Sequence, residues 1–258
     1  MVTKRDNDAL VPEGERKVLM IAAAVGGVLL LLLVWRLVTA FDGVVSWLDF
    51  VVSRPDDIIE LTIEHTILTV SAMLTGAAIA IPLGVAVHRS PIGKQVALTL
   101  SSIALTIPSL ALFAIFIPVV GIGFTSPYLA LTIYSILPIL RNTITGLDQV
   151  DPAIVEAAKG MGLSNLQRIR KVQLPLAWPV ILTGIRVATV LTISIAAIAT
   201  LVAGGGLGDF IKDGLARFPL PTSVERIWTG TVFIILLALV FERLFAFLTK
   251  VTTSKGLQ

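Results

Sequence analysis

The chain has no cysteine and only two histidines, His65 and His88, in 258 residues. That excludes disulfides, thiolate zinc sites, iron–sulfur clusters and a cysteine nucleophile, and it leaves imidazole-based metal chemistry without enough ligands. Charge is also scarce. Asp, Glu, Lys and Arg make up 14% of the residues and the formal net charge is only +3, so nothing marks a nucleic-acid partner. No GxxxxGK[ST] loop is present to cradle a phosphate. The run Gly204-Gly205-Gly206-Leu207-Gly208 lacks the lysine and the preceding strand, and reads as a tight turn leaving a helix. No Ser/His/Asp set and no paired carboxylates fall inside the apolar runs. The chain is therefore expected to carry no catalytic residues and no metal site of its own.

Apolar residues fill the gap: 55% of the chain is hydrophobic and the mean hydropathy is +0.93, far outside the range of soluble domains. A bilayer core needs roughly 20 apolar residues per helix, and the runs at about 18–40, 61–87, 96–120, 128–147, 177–203 and 227–248 predict about six spans. The expected fold is an all-α integral membrane protein. Residues 1–17 form an N-terminal tail, 18–248 the membrane domain and 249–258 a C-terminal tail. The competing reading of the first run is a cleaved signal peptide, with Val38-Thr39-Ala40 as its small-residue site, but the run is long and Trp35-Arg36 interrupts that site.

Lys and Arg concentrate in the N-terminal tail, the turn His88–Lys94, the segment 151–175 and the C-terminus. The positive-inside rule puts these, and both termini, in the cytoplasm. The acidic segment 41–60, the uncharged turn near 121–127 and the glycine-rich loop then lie outside. Lys212, Arg217 and Arg226 are the exceptions there, offset by Asp209, Asp213 and Glu225. Gly76, Ala80 and Gly84, and again Gly184, Ala188, Thr192, Ala196, Thr200 and Gly204, recur four apart. Such small-residue stripes let helices approach closely.

Residues 151–175, DPAIVEAAKGMGLSNLQRIRKVQLP, form the one long polar stretch between apolar runs. Asp151 is suited to cap a helix that opens on Pro152, and Gly160 and Gly162 to end it. Ser164 with Gln167 makes a capping box for a second helix, which carries Arg168, Arg170 and Lys171 and is expected to stop near Leu174-Pro175. The AAKGMGLSNLQRIRK stretch also fits a DNA-binding helix-turn-helix, but the third helix of that unit is missing and both ends run into apolar spans. The geometry is that of a rigid knob offered to something outside the membrane.

Glu156-Ala157-Ala158, then Gly162, then Val172-Gln173-Leu174-Pro175 resembles the EAA loop of the membrane subunits of ATP-binding cassette importers, with Val172 in place of isoleucine. The resemblance implies a MetI-like permease fold and cytoplasmic coupling helices that dock on a separate ATPase subunit. Glu156, Ala157, Ala158, Gly162, Leu174 and Pro175 would form that coupling surface. ATP and magnesium would then sit on the ATPase, with no cofactor in this chain. The segments from Thr106 to Phe113, Leu137-Pro138 through Thr143, Val150-Asp151-Pro152 and the glycine-rich loop resemble permeases of the osmoprotectant class, which move glycine betaine, carnitine, choline or proline betaine. That resemblance implies a bacterial cytoplasmic-membrane protein with three protein partners. These are an ATPase, a second permease subunit, identical or homologous, and a separate extracytoplasmic solute-binding protein.

Prolines 108 and 138 interrupt the third and fourth spans. Broken helices expose backbone groups that must face a cavity or protein. Thr106, Pro108, Ser109, Tyr134, Pro138 and Asn142 are the candidates for the substrate path. Charges inside hydrocarbon are costly and raise functional suspicion. Arg141, Arg186 and Glu242 fall there, with Glu242 read as the lone intramembrane carboxylate. It is expected to pair with Arg186 or Arg141, the competing expectation being that the arginines snorkel to lipid headgroups. A proton-driven carrier or channel would need an acidic relay within the spans, and a structural anchor would leave the polar knob without purpose.

Overall fold

A computed structural model describes residues 43–252, with Met20, Ala22, residues 25–27 and Leu29 before them. The first predicted span and both tails lie largely or wholly outside the described residues. All regular structure among the described residues is helical. They fall into two units divided after Val52. The first contributes one short apolar helix, α1 (Gly43–Val52).

The second unit begins with α2 (Pro55–Val87), 33 residues long, opened by a proline in its first turn. Gly84 O accepts the His88 N–H where α2 closes, and Ser90 caps the next helix by accepting from Gly93 N at 3.0 Å. That helix, α3 (Pro91–Thr106), ends at Ile107, whose extended ψ of 128° precedes Pro108 as proline sterics require. α4 (Ser109–Val120) leaves the break at 95° to α3. The predicted third span is therefore a sharply bent pair, its first leg starting at Pro91. α5 (Thr125–Asp148) follows, with Pro138 inside. After the polar loop, α8 (Leu174–Ala196) leads through a 3₁₀ turn (Ala199–Val202) to α9 (Gly208–Ala216) and the 30-residue α10 (Ser223–Thr252).

Three continuous helices are long and apolar enough to cross a bilayer, Pro55–Val87, Asn165–Ala196 and Ser223–Thr252, and the bent pair α3–α4 would make a fourth. α5 is different in kind. It carries Arg141, Asn142 and several hydroxyls, and it survives in a membrane because α2 and α8 enclose it. The small-residue stripes make that possible. Gly76 and Gly84 bring α2 against Ser135 and Thr143, and Gly184 sits where a Cβ would lie 2.6 Å from Asn142 Cβ and 2.8 Å from Pro138 O. Ala188, Thr192 and Ala196 are fully buried along the same line. The core accordingly runs along α5, with Leu131, Ile139, Leu140, Ile181 and Ile193 inaccessible to solvent. Leu236, Leu239 and Phe247 of α10 face outward, as suits a lipid-facing helix.

Candidate functional site: a capped polar knob

α6 (Pro152–Gly160) is closed at both ends by its own sequence. Asp151 Oδ1 accepts from Ala153 N at 2.8 Å. At the other end Gly162 takes φ +83°, its N–H bonds Lys159 O, and the Leu163 N–H bonds Ala158 O. This pairing is a Schellman motif, and it requires the left-handed residue that glycine supplies without strain. Gly160, expected to share that duty, is instead the last helical residue.

The second helix of the loop, α7 (Asn165–Arg168), is opened by a two-way capping box. Ser164 N donates to Gln167 Oε1 at 2.8 Å, and Gln167 N donates to Ser164 Oγ at 3.4 Å. It does not stop near Leu174-Pro175. A π turn (Ile169–Gln173) joins it to α8, with the Leu174 N–H bonding Ile169 O. Pro175 has no N–H, and one wide turn before it absorbs the missing bond without ending the helix. Knob and membrane helix are thus one rod from Asn165 to Ala196.

Two side chains, Arg89 and Lys94, hold this end of the molecule together, the first reaching the knob and the second joining α3 to α5. Arg89, in the turn between α2 and α3, donates to Asn165 Oδ1 at 3.0 Å and to the buried Gln173 Oε1 at 3.4 Å. Lys94 Nζ binds Asp148 at 2.6 Å. Between these ties an open cleft of about 400 Å³ is lined by His88, Arg89, Glu156, Lys159, Arg168 and Gln173. Val155 and Ala158 turn inward, while Ile154, Ala157 and Met161 share one exposed face of α6. Met161 is 73% exposed, a large apolar side chain offered to solvent on a rigid mount. Glu156 is exposed and pairs loosely with Lys159 at 3.5 Å, a contact worth little in water. Pro175 is exposed and Leu174 packs partly against the core.

Of the residues expected along the substrate path, Thr106, Pro108, Ser109 and Tyr134 meet at the α3–α4 break, and Pro138 and Asn142 lie further along α5. Tyr134 is only 2% exposed, and its hydroxyl donates to Ile107 O at 2.6 Å, satisfying the carbonyl left over at the α3–α4 break. Asn142 donates to Pro138 O at 2.8 Å and packs on Gly184. Thr106 folds back onto Ile103 O, and Ser109 opens α4. The break is thus largely satisfied by protein. Of the intramembrane charges, Glu242 faces Arg186, and Arg141 is exposed elsewhere on α5.

Sequence reasoning missed one residue with a plain signal. Glu64 is the tenth residue of α2 and the fourth of the apolar run at 61–87, near one end of that span, and it is exposed. Its Oε2 accepts from Gly206 N at 3.0 Å, so the glycine-rich loop is pinned to it. The neighbouring His65 is fully buried. Its Nε2 lies 3.0 Å from Ile193 O, which fixes Nε2 as the donor, and Nδ1 is left without a partner beside Gly206.

Relatives of known identity align with most of this chain. It is 38% identical over 209 residues to the glycine betaine/carnitine/choline transport system permease protein OpuCB of Bacillus subtilis, covering 81% of this chain and 94% of that one. It is likewise 38% identical to the osmoprotectant import permease protein OsmW of Salmonella typhimurium, covering 77% and 93%. Among solved structures, the inward-facing MetNI methionine ABC transporter superposes with a TM-score of 0.67 at 22% identity, over 76% of this chain and 96% of that one, a likeness of fold. Residues 65–253 match the model of one family, and the chain belongs to it: the binding-protein-dependent transport system inner membrane components.

Proposed function

We propose that this chain is the pore subunit of an ATP-driven importer for small quaternary ammonium osmoprotectants such as glycine betaine, choline or carnitine. The substrate class is supported by the names of the relatives, which are 38% identical over most of their length. Two permease subunits would enclose the path, a secreted binding protein would deliver the solute, and a cytoplasmic ATPase would hold ATP and magnesium. Both termini and α6 would face the cytoplasm.

One observation supports the coupling role most strongly. α6 is capped at both ends, the α7 and π-turn segment that follows it is held by Arg89, and α6 still presents Ile154, Ala157 and Met161 to solvent. A short rigid helix with an apolar face can transmit displacement to the rod that continues into α8. The ATPase would thereby shift the population between inward- and outward-open states. Glu156 and Gly162 would shape the docking surface. The test is copurification from the native membrane followed by uptake in proteoliposomes. A nucleotide-binding subunit should come down with the chain, and labelled choline or glycine betaine should accumulate only with ATP and the binding protein. Accumulation by this chain alone would overturn the reading.

A further inference from the structure

The exposed side of α2 is divided. With 3.6 residues per turn, the exposed Glu64 and the half-buried Ser71 and Thr75 fall on one strip, and the exposed Ile63, Ile67 and Leu74 fall on another about 80° round the helix. The apolar strip is what a lipid-facing surface needs. The polar strip is not. A charged carboxylate turned to hydrocarbon is costly, though less so toward the end of a span, where Glu64 lies.

Glu64 has no cationic partner among the described residues. The Gly206 N–H engages Oε2, and Oε1 makes no hydrogen bond among those residues. A carboxylate has acceptor capacity well beyond one bond, so Oε1 is left to accept from another group. Lower on the strip, Thr75 Oγ1 lies 2.8 Å from the Tyr128 hydroxyl, and Tyr128 stacks with the exposed ring of Phe124 at 5.8 Å. A carboxylate above and aromatic faces below are the two groups that attract a quaternary ammonium. The glycine-rich loop fixes the carboxylate in place. A Cβ on Gly205, at φ +72°, would lie only 2.6 Å from Glu64 Oε2, so only glycine fits there, and Gly206 at φ +90° sits on the buried His65 ring.

We propose that the strip of Glu64, Ser71 and Thr75 lines the water-filled route through the transporter, and that the Glu64 carboxylate takes the ammonium of the entering solute. The second half rests on the osmoprotectant reading above; the first does not.

The chain contains no cysteine, so single cysteines report without background. In the assembled transporter, Glu64→Cys, Ser71→Cys and Thr75→Cys should react with a charged, membrane-impermeant maleimide, and choline should slow that reaction. Ile67→Cys and Leu74→Cys, on the apolar strip within the span, should stay unlabelled. Equal labelling of both strips, or none at positions 71 and 75, would overturn the route. Glu64→Gln should then lower choline uptake at limiting concentration by about tenfold with binding-protein affinity unchanged, and Glu64→Asp should restore most of it. Wild-type uptake by Glu64→Gln overturns the ammonium contact. A wild-type transporter that labels on the polar strip but carries neither choline nor glycine betaine supports the route and overturns the substrate class.

Discussion

Arg186 on α8 and Glu242 on α10 form a two-point ion pair, with Nε donating to Oε2 at 2.7 Å and Nη2 facing Oε1. Each side chain is about a third exposed, at 39% and 34%, so in detergent the pair is screened by water and contributes little. In a bilayer the accounting changes, because an unpaired charge at mid-span costs about 2.5–3.5 kcal/mol. Glu242→Gln or Arg186→Gln should therefore reduce assembled protein in membranes several-fold while shifting the melting temperature in detergent only slightly. The swap Arg186→Glu with Glu242→Arg should recover assembly, read by membrane yield and size-exclusion chromatography. A swap no better than either single variant would separate the two residues energetically.

Tyr134→Phe removes the donor to Ile107 O and leaves a buried carbonyl unpaired at the α3–α4 break. An unsatisfied buried polar group costs about 1–3 kcal/mol. A lowered thermal midpoint in detergent, with the ring's packing otherwise retained, is the expected outcome. An unchanged midpoint would mean that the break finds another donor.

The contrast between two glycines separates close packing from conformation. Gly184→Ala drives a Cβ into Asn142 and the Pro138 carbonyl and should prevent α5 and α8 from meeting, with little folded protein recovered. Gly162→Ala meets no atom within 4 Å and carries only the strain of φ +83°, about 1–2 kcal/mol, so the protein should fold and melt slightly lower.

Arg89 reaches Asn165 and Gln173 from a different turn of the chain. Arg89→Ala should leave insertion intact and loosen the knob. In the assembled complex, substrate-stimulated ATP hydrolysis should fall by at least about threefold, the worth of less than one charge-assisted hydrogen bond. Arg89→Lys should not restore it, because a point charge cannot span both amide oxygens.

Much of the knob is legible in order along the chain. The caps at Asp151, Gly162 and Ser164 are readable because they are local, settled by residues within a few positions. The bend at Pro108 is readable, but its 95° angle is not, nor that Tyr134 satisfies it, because that contact spans 27 positions. Pro175 reads as a stop when proline's missing N–H is weighed without the wider π turn that accommodates it. Choosing between Arg141 and Arg186 for Glu242 needs the register between spans, which hydropathy does not carry. Glu64 escapes notice for a simpler reason: averaging over an apolar run hides one carboxylate, although its position inside the span is in plain view.

The proposed importer mechanism turns on α6 carrying force between an ATPase and the membrane rods. The most direct measurement is substrate-stimulated ATP hydrolysis by the purified full complex bearing Glu156→Lys, an exposed position whose reversal leaves the fold untouched. Force transmission through α6 predicts normal insertion and solute binding with stimulation reduced to the basal rate. Full stimulation in that variant, with wild-type uptake alongside it, would contradict the coupling role.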